Sequence, residues 1–300
     1  MTSTPVRARP AGGAPDRDRV PVERSTLGRR LRGVLPHVLL GTGVVVSLFP
    51  FYWMIVMATN TTEAIYRFPP KLTLGSQLGT NVRHVLDNID FFGSMLNTLI
   101  VACSATFLVL LVDSLAAFTF AKYRFPGRNV LFTVLLGMYL LPTQLAILPQ
   151  FVLMSHIGWA GSLKALLLPP LANAFGIFWM RQYIMRAVPD ELIDAARIDG
   201  CGFLRQYWHV GLPTIRPGLA FLGIYVFVNA WNDYFWPLVV LVNPDHLTLQ
   251  VALAQLNTAH STDFSMVMAG AVMAVVPLAL AFVLLARNFV ADATRGAVRG

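Results

Sequence analysis

PDELIDAARIDGCGFLRQYWHVGLPTIRP, Pro189–Pro217, is a long polar stretch that lies between two strongly apolar ones and still carries the signals of ordered structure. Pro189 and Asp190 mark a helix start, with acidic residues in the first turn, where the helix dipole favours them. Glu191, Asp194 and Arg197 recur at spacing three and so share a helix face, and Ala195, Ala196 and Ile198 form a small apolar patch beside them. Gly200 and Gly202 supply a stop. Phe203 to Val210 reads as a second short helix, and Pro213 breaks the chain before the next apolar run.

The flanking sequence sets this loop in a membrane. Apolar residues make up 56% of the 300 residues and charged residues only 13%, with a mean hydropathy of +0.61; a soluble domain carries about 25% charged residues. Six apolar runs approach the roughly 20 residues that a bilayer-spanning helix needs. They are expected at about 34–59, 95–121, 130–154, 163–184, 218–242 and 265–287, which makes the chain an all-α membrane protein with the polar loop between helices four and five. Prolines inside these runs (Pro50, Pro142, Pro169, Pro170, Pro237 and Pro277) are tolerable because neighbouring helices satisfy the freed carbonyls. Residues 1–33 read as a disordered basic tail, 34–290 as the six-helix domain and 291–300 as a C-terminal tail. The outer segment 60–92, with a short helix expected across Asn81 to Asn88, is the longest external loop.

The formal net charge of +8 is a matter of topology rather than of nucleic-acid binding. Nineteen of the 23 lysines and arginines fall on one side of the six-helix scheme: the first tail, the turn with Lys122, Arg124 and Arg128, the loop region and the last tail. Only Arg67, Lys71, Arg83 and Lys164 fall on the other. The excess of positive charge on cytoplasmic segments puts both termini and the loop in the cytoplasm. Cys103 and Cys201 lie in an apolar run and in the loop, too different in setting to expect a disulfide or a metal site.

Asp194-Ala195-Ala196, three residues, Gly200, nine residues and Val210-x-Leu212-Pro213 resembles the EAA signature of bacterial ABC importer permeases, with Asp194 for the usual glutamate and Val210 for the usual isoleucine. The likeness extends through NTLIVACSATFLVLLVDSLAAFTFAKYRFPGR, through the run from LPTQLAILPQ to RAVPDEL, and through FVNAWNDYFWPLVVL, which are similar to the second, third-to-fourth and fifth helices of carbohydrate-uptake permeases of the maltose and glycerol-phosphate type. The resemblance covers about 34–290. It implies a subunit of a binding-protein-dependent importer in a bacterial plasma membrane. Its partners would be a second homologous permease in a heterodimer, an ABC ATPase dimer, an external solute-binding protein and membrane lipid. The loop would couple to the ATPase through Glu191, Asp194, Ala195, Ala196, Asp199, Gly200, Leu212 and Pro213.

Polar residues within the spans are the candidates for a solute path, since each is costly unless it faces protein or water. They are Asp113 in helix two and Asn229, Asn232 and Asp233 in helix five, with Trp231 among the accompanying aromatics. Aromatic faces and hydrogen-bonding side chains suit a sugar; interhelical hydrogen bonding is the competing account. Only Lys71, Lys122 and Lys164 are lysines and none follows a glycine, so a Walker A loop is absent and ATP with its Mg must be handled by another chain. No cofactor or metal is expected on this chain, nor an enzyme activity; HExxH and GxSxG are missing. A secondary transporter driven by an ion gradient is the alternative, but Asp113 and Asp233 make a thin relay and that mechanism leaves the loop without a role.

Overall fold

The computed structural model describes residues 26–257 and 263–297. The first helix, α1 (Thr26–Thr59), contains Pro36 and Pro50 and carries the boundary between two compact units, one ending at Tyr52 and one beginning at Trp53. Residues 1–25 of the expected basic tail lie outside the described residues, and from Thr26 onward that segment already belongs to α1. Its stretch Pro36–Thr59 is apolar enough to cross a membrane, with a mean hydropathy of 1.9.

The second unit opens with two short helices, α2 (Thr62–Tyr66) and α3 (Leu78–Asn88). The helix α3 and the segment before it are held to the end of α1 by buried amides: Asn81 Nδ2 donates to the carbonyls of Ala58 (2.8 Å) and Asn60 (3.0 Å), and Asn60 Nδ2 donates to those of Val56 (2.8 Å) and Thr73 (2.9 Å). The long helix α4 (Phe91–Lys122) follows, capped by Asp90, whose Oδ1 accepts from Gly93 N at 3.0 Å. It contains no proline and is the spine of the unit, packed on one side by α7 (Ala174–Ala187) and on another by α10 (Leu212–Asn232).

Between α4 and α7 the chain is broken where continuous spans are expected. In place of one helix over 130–154 there are α5 (Arg128–Tyr139), a 3-10 turn (Thr143–Ala146) and α6 (Ile147–His156), bent by 98°. Pro142 accounts for the break, because it lacks an N–H and pushes the residue before it out of helical geometry. The run expected at 163–184 is likewise two 3-10 turns, Leu163–Leu166 and Pro169–Leu171, followed by α7 at an angle of 45°. The Pro169-Pro170 pair ends the first part, and Asn173 caps the second by accepting from Gly176 N at 3.1 Å.

The polar loop forms α8 (Asp190–Ile198) and α9 (Phe203–Gln206), which runs through a π-helical turn (Tyr207–Gly211) straight into α10. Pro213 does not break the chain: it sits where the π-helical turn passes into α10, and the helix continues through it. The fifth span therefore begins earlier than expected and ends at Asn232 rather than 242, with α11 (Phe235–Val240) as a separate short helix. After α12 (Leu249–Gln255), α13 (Phe264–Ala297) runs past the end expected at 287 and into the expected C-terminal tail. Its segment Phe264–Leu280 is apolar.

Among the described residues two separate hydrophobic cores form. One gathers Val109, Phe118, Met180, Ile184, Ile193, Tyr207, Ile215 and Leu222 near the polar loop. The other, at the opposite end of α4, gathers Phe91, Val101, Leu166, Trp231, Trp236, Leu249 and Ala269.

Candidate functional site: the two-helix loop and a polar stripe on α10

The face that α8 turns inward is set by Ile193 and Ala196, 2% and 7% exposed, of which Ile193 joins the nearer core. Its outward face carries Leu192, Ala195 and Ile198 at spacing three, with Leu192 48% and Ile198 87% exposed. Ala196 is thus not part of an outward patch with Ala195, as expected, but anchors the helix to its own chain. The exposed acids Glu191 and Asp194 flank the ridge. Asp194 Oδ1 accepts from Arg197 Nη1 at 2.9 Å, and the Arg197 guanidinium lies 5.4 Å from the centre of the Tyr123 ring, so Asp194 is engaged within its own helix.

The end of α8 is closed by a Schellman motif. Cys201 N donates to the Ala196 carbonyl at 2.9 Å and Gly200 N to that of Arg197 at 3.0 Å, with Gly200 at φ +75°. Asp199, exposed, donates its backbone N–H to the Ala195 carbonyl at 3.0 Å. Leu212 is half-buried and Pro213 exposed at the start of α10, away from the ridge itself.

The start of α8 is held by a residue that spacing within the loop could not reveal. Lys122, the last residue of α4, has a side chain only 4% exposed; its Nζ donates to the Val188 carbonyl at 2.5 Å and to Asp190 Oδ1 at 2.6 Å. That hydrogen bond, with the ammonium charge behind it, holds the Asp190 carboxyl below the usual carboxylate range. The second helix is fastened to the same end of α4. Tyr123 Oη donates to Gln206 Oε1 at 2.5 Å, Gln206 Nε2 donates to the Cys201 carbonyl at 2.5 Å, and the Phe118 ring packs between Tyr123, Phe203 and Tyr207 with centroids 5.6–6.1 Å away. Gly211 is required there, because a Cβ would stand 2.8 Å from the Phe118 ring.

The expected path residues do not gather into one site. Asn229 and Asn232 lie on the exposed face of α10, each returning its Nδ2 to a carbonyl one turn back, Tyr225 at 2.7 Å and Val228 at 2.8 Å. On the same stripe, Tyr225 lies against Phe175 at 4.7 Å and Phe221 against Trp179 at 4.6 Å. Trp231, by contrast, is buried in the opposite-end core and stacked on Phe227. Asp233 follows the last residue of α10, with its carboxylate facing the backbone amides of Trp236 and Phe235. Asp113 is fully buried on α4. Phe221 and Tyr225 were legible in the sequence, eight and four residues before Asn229, but only the burial pattern separates their face from that of Trp231.

Leu192, Ala195 and Ile198 thus leave a ridge of exposed apolar side chains on a short helix, a pattern that single scattered apolar residues do not make. Comparison with known proteins bears on the chain that carries it. A family model described as "Binding-protein-dependent transport system inner membrane component" matches residues 114–295. The chain is 35% identical over 266 residues to the lactose transport system permease protein LacG of Rhizobium radiobacter, covering 89% of this chain and 96% of the relative. It is 31% identical over 270 residues to the sn-glycerol-3-phosphate transport system permease protein UgpE of Yersinia enterocolitica, covering 87% and 96%. With the arabinooligosaccharides transport system permease protein AraQ of Halalkalibacterium halodurans it shares 37% over 193 residues, 64% of this chain and 69% of the relative. Its fold matches a chain in the crystal structure of a bacterial ABC transporter involved in the import of the acidic polysaccharide alginate, with a TM-score of 0.75 at 24% identity over 88% of this chain and 99% of the other. With more than half of the chain inside the family model and two near-full-length relatives above 30% identity, the chain belongs to the binding-protein-dependent transport system inner membrane component family.

Proposed function

We propose that this chain is one of two permease subunits of an ATP-driven importer for a sugar or oligosaccharide, and that α8 is the element through which an ATPase moves it. The observation that carries this reading is the outward ridge of Leu192, Ala195 and Ile198, displayed on a helix that is itself pinned at both ends, by Lys122 at its start and the Gly200 turn at its finish. A docking helix has to transmit force without fraying, and both pins serve that need. The placement of positive charge in the sequence supports a cytoplasmic position for the loop and both termini. ATP and its Mg are the business of the ATPase pair, and a binding protein delivers the solute from the other face.

The names of the relatives favour a carbohydrate or a polyol phosphate as solute. The stripe Phe221, Tyr225, Asn229 and Asn232 supports this subunit's share in the path. Carboxamides on an exposed membrane face are expensive in lipid. Beside aromatic rings they match the alternating apolar faces and hydroxyl edges of a sugar. Asp113, Trp231 and Asp233 are left to structural work.

The reading is tested in proteoliposomes with Ile198→Asp, which puts a charge on the ridge without touching a buried atom. ATPase stimulation by the solute-loaded binding protein and solute uptake are expected to fall together, while the amount of membrane-inserted protein stays unchanged. Normal stimulation and normal uptake by an assembled Ile198→Asp complex would remove the coupling role from α8.

A further inference from the structure

Asp113 and Ser114, adjacent on α4, face two different parts of the molecule. Ser114 Oγ lies 2.6 Å from Tyr207 Oη, with both side chains buried. The same Oγ lies 2.5 Å from the Leu110 carbonyl, which can only accept; the serine proton goes there, and Tyr207 donates to Ser114. Ser114, Phe118 and Lys122 recur at spacing four and form one stripe, and all three hold the loop: Ser114 through Tyr207, Phe118 through the rings of Phe203 and Tyr207, and Lys122 through Val188 and Asp190.

One residue earlier, Asp113 is turned toward the break in the fourth span. Its Oδ1 accepts from Asn173 N at 3.1 Å, at the residue that caps α7 and from which the 45° bend departs. Its Oδ2 is buried without a protein partner and lies so close to Gly176 that a Cβ there would overlap it. The Asp113 carboxyl group therefore rests against the amino end of α7. The segment on the far side of the bend belongs to the other core: Ala165 and Leu166 lie there, and the Ala165 carbonyl accepts from Trp236 Nε1 at 3.1 Å.

We propose that the Tyr207–Ser114 and Asp113–Asn173 bonds form a relay that makes the loop, the α4 segment from Asp113 to Lys122 and α7 a single moving body, hinged at Asn173 against the segment Leu163–Leu171 before the bend. Asp113, Ser114 and Tyr207 are then positioning residues for transport. Nine helical steps, about 14 Å, separate Asp113 from Lys122, and no proline or break lies along that length. Motion applied at α8 arrives at the amino end of α7 undiminished, and the bend between Leu171 and Ala174 is where it is released. The proposal rests on the coupling role assigned to α8 above.

The test is a set of distance measurements between spin labels in the assembled transporter, with Cys103 and Cys201 replaced. Labels at Leu204 and Ala172 report loop to break; labels at Leu204 and Val242 report loop to opposite end. On trapping with Mg, ATP and vanadate, the first distance is expected to stay constant and the second to shift by about 5 Å, the scale of such element movements. Tyr207→Phe, which keeps the ring and removes the hydroxyl, and Asp113→Leu, which keeps the bulk and removes the acceptor, should each let the first distance shift on trapping. The double variant should behave like either single one. Should Asp113→Leu not assemble, Asp113→Ala takes its place. A loop-to-break distance that changes in the unaltered protein, or one that stays constant in both variants while the second distance still shifts, overturns the relay and leaves the docking role intact. If neither distance responds and Ile198→Asp is silent in transport, docking and relay fall together.

Discussion

Replacing Gly200 by alanine would isolate one contribution to the loop's rigidity. Gly200 sits at φ +75°, and no heavy atom lies within 4 Å of the place where its Cβ would be. The penalty is therefore purely conformational, about 1–2 kcal/mol for an L-residue in the left-handed region. That strain falls on the folded turn, so the equilibrium for opening the end of α8 rises by a factor of about 5–30. The direct readout is amide hydrogen exchange of the assembled transporter at Asp199, Gly200 and Cys201, whose N–H groups close the turn. Exchange at these amides is expected to accelerate by about the same 5–30-fold, while amides in the middle of α4 are unaffected. Gly200→Asn supplies the control, because asparagine enters the left-handed region at lower cost, and its acceleration should be the smaller. Unchanged protection in the alanine variant, or equal loosening by alanine and asparagine, would show that the turn's geometry does not limit the stability of α8.

Lys122→Met should free the start of α8, leaving the buried Val188 carbonyl without its donor at a cost of about 1–3 kcal/mol, and local proteolysis between α7 and α8 would report it. The partner side of that clamp is pH-dependent: the Asp190 carboxyl is depressed when folded, so its contribution is complete above the unfolded value of about 4 and is lost only as pH falls further, through the folded value. Exchange protection at α8 should accordingly hold from neutrality down to about pH 5 and decline below about pH 4 in the unaltered protein, with no such step in Lys122→Met. Gly176→Ala forces a methyl onto Asp113 Oδ2 and within reach of Leu222; overpacking of this kind costs about 1–3 kcal/mol, and the thermal midpoint of the purified complex should drop where Gly202→Ala leaves it unchanged. Single cysteines at Arg205 and Lys71 should label from opposite sides of the membrane in intact cells, and labelling of both by an impermeant external reagent would refute the assigned orientation.

Much of this architecture was legible in the chain, and the gaps have physical causes. Helix α8 could be read because acids at its start, a glycine at its stop and spacing-three residues are local signals within the loop. Which of its alanines faces outward could not, since Ala195 and Ala196 are chemically identical and only the packing of Ile193 chooses between them. Pro142 and the Pro169-Pro170 pair were visible as tolerable interruptions; that one yields a 98° bend and the other 45° depends on what packs beyond each break. Pro213 reads as a breaker in isolation, yet the helix runs through it at a π-helical turn that no local pattern announces. The clamp by Lys122 lay furthest from view: it joins residues 68 apart in the chain, and neither partner carries a local sign of the other. Asp113 and Trp231 stood out as polar and aromatic residues in apolar runs, yet both face inward, and no pattern along one helix alone tells a lining residue from a packing one.

The two cores bear on how such a chain can change over time. A substitution around Trp231, Trp236 and Leu249 reshapes the end away from α8 and touches the other core only along α4, α10 and the bend at Asn173. On the docking role proposed for α8, the end that holds it is a socket of fixed gauge. Substitutions could then accumulate in the core around Trp231 and Leu249 while that socket keeps its shape.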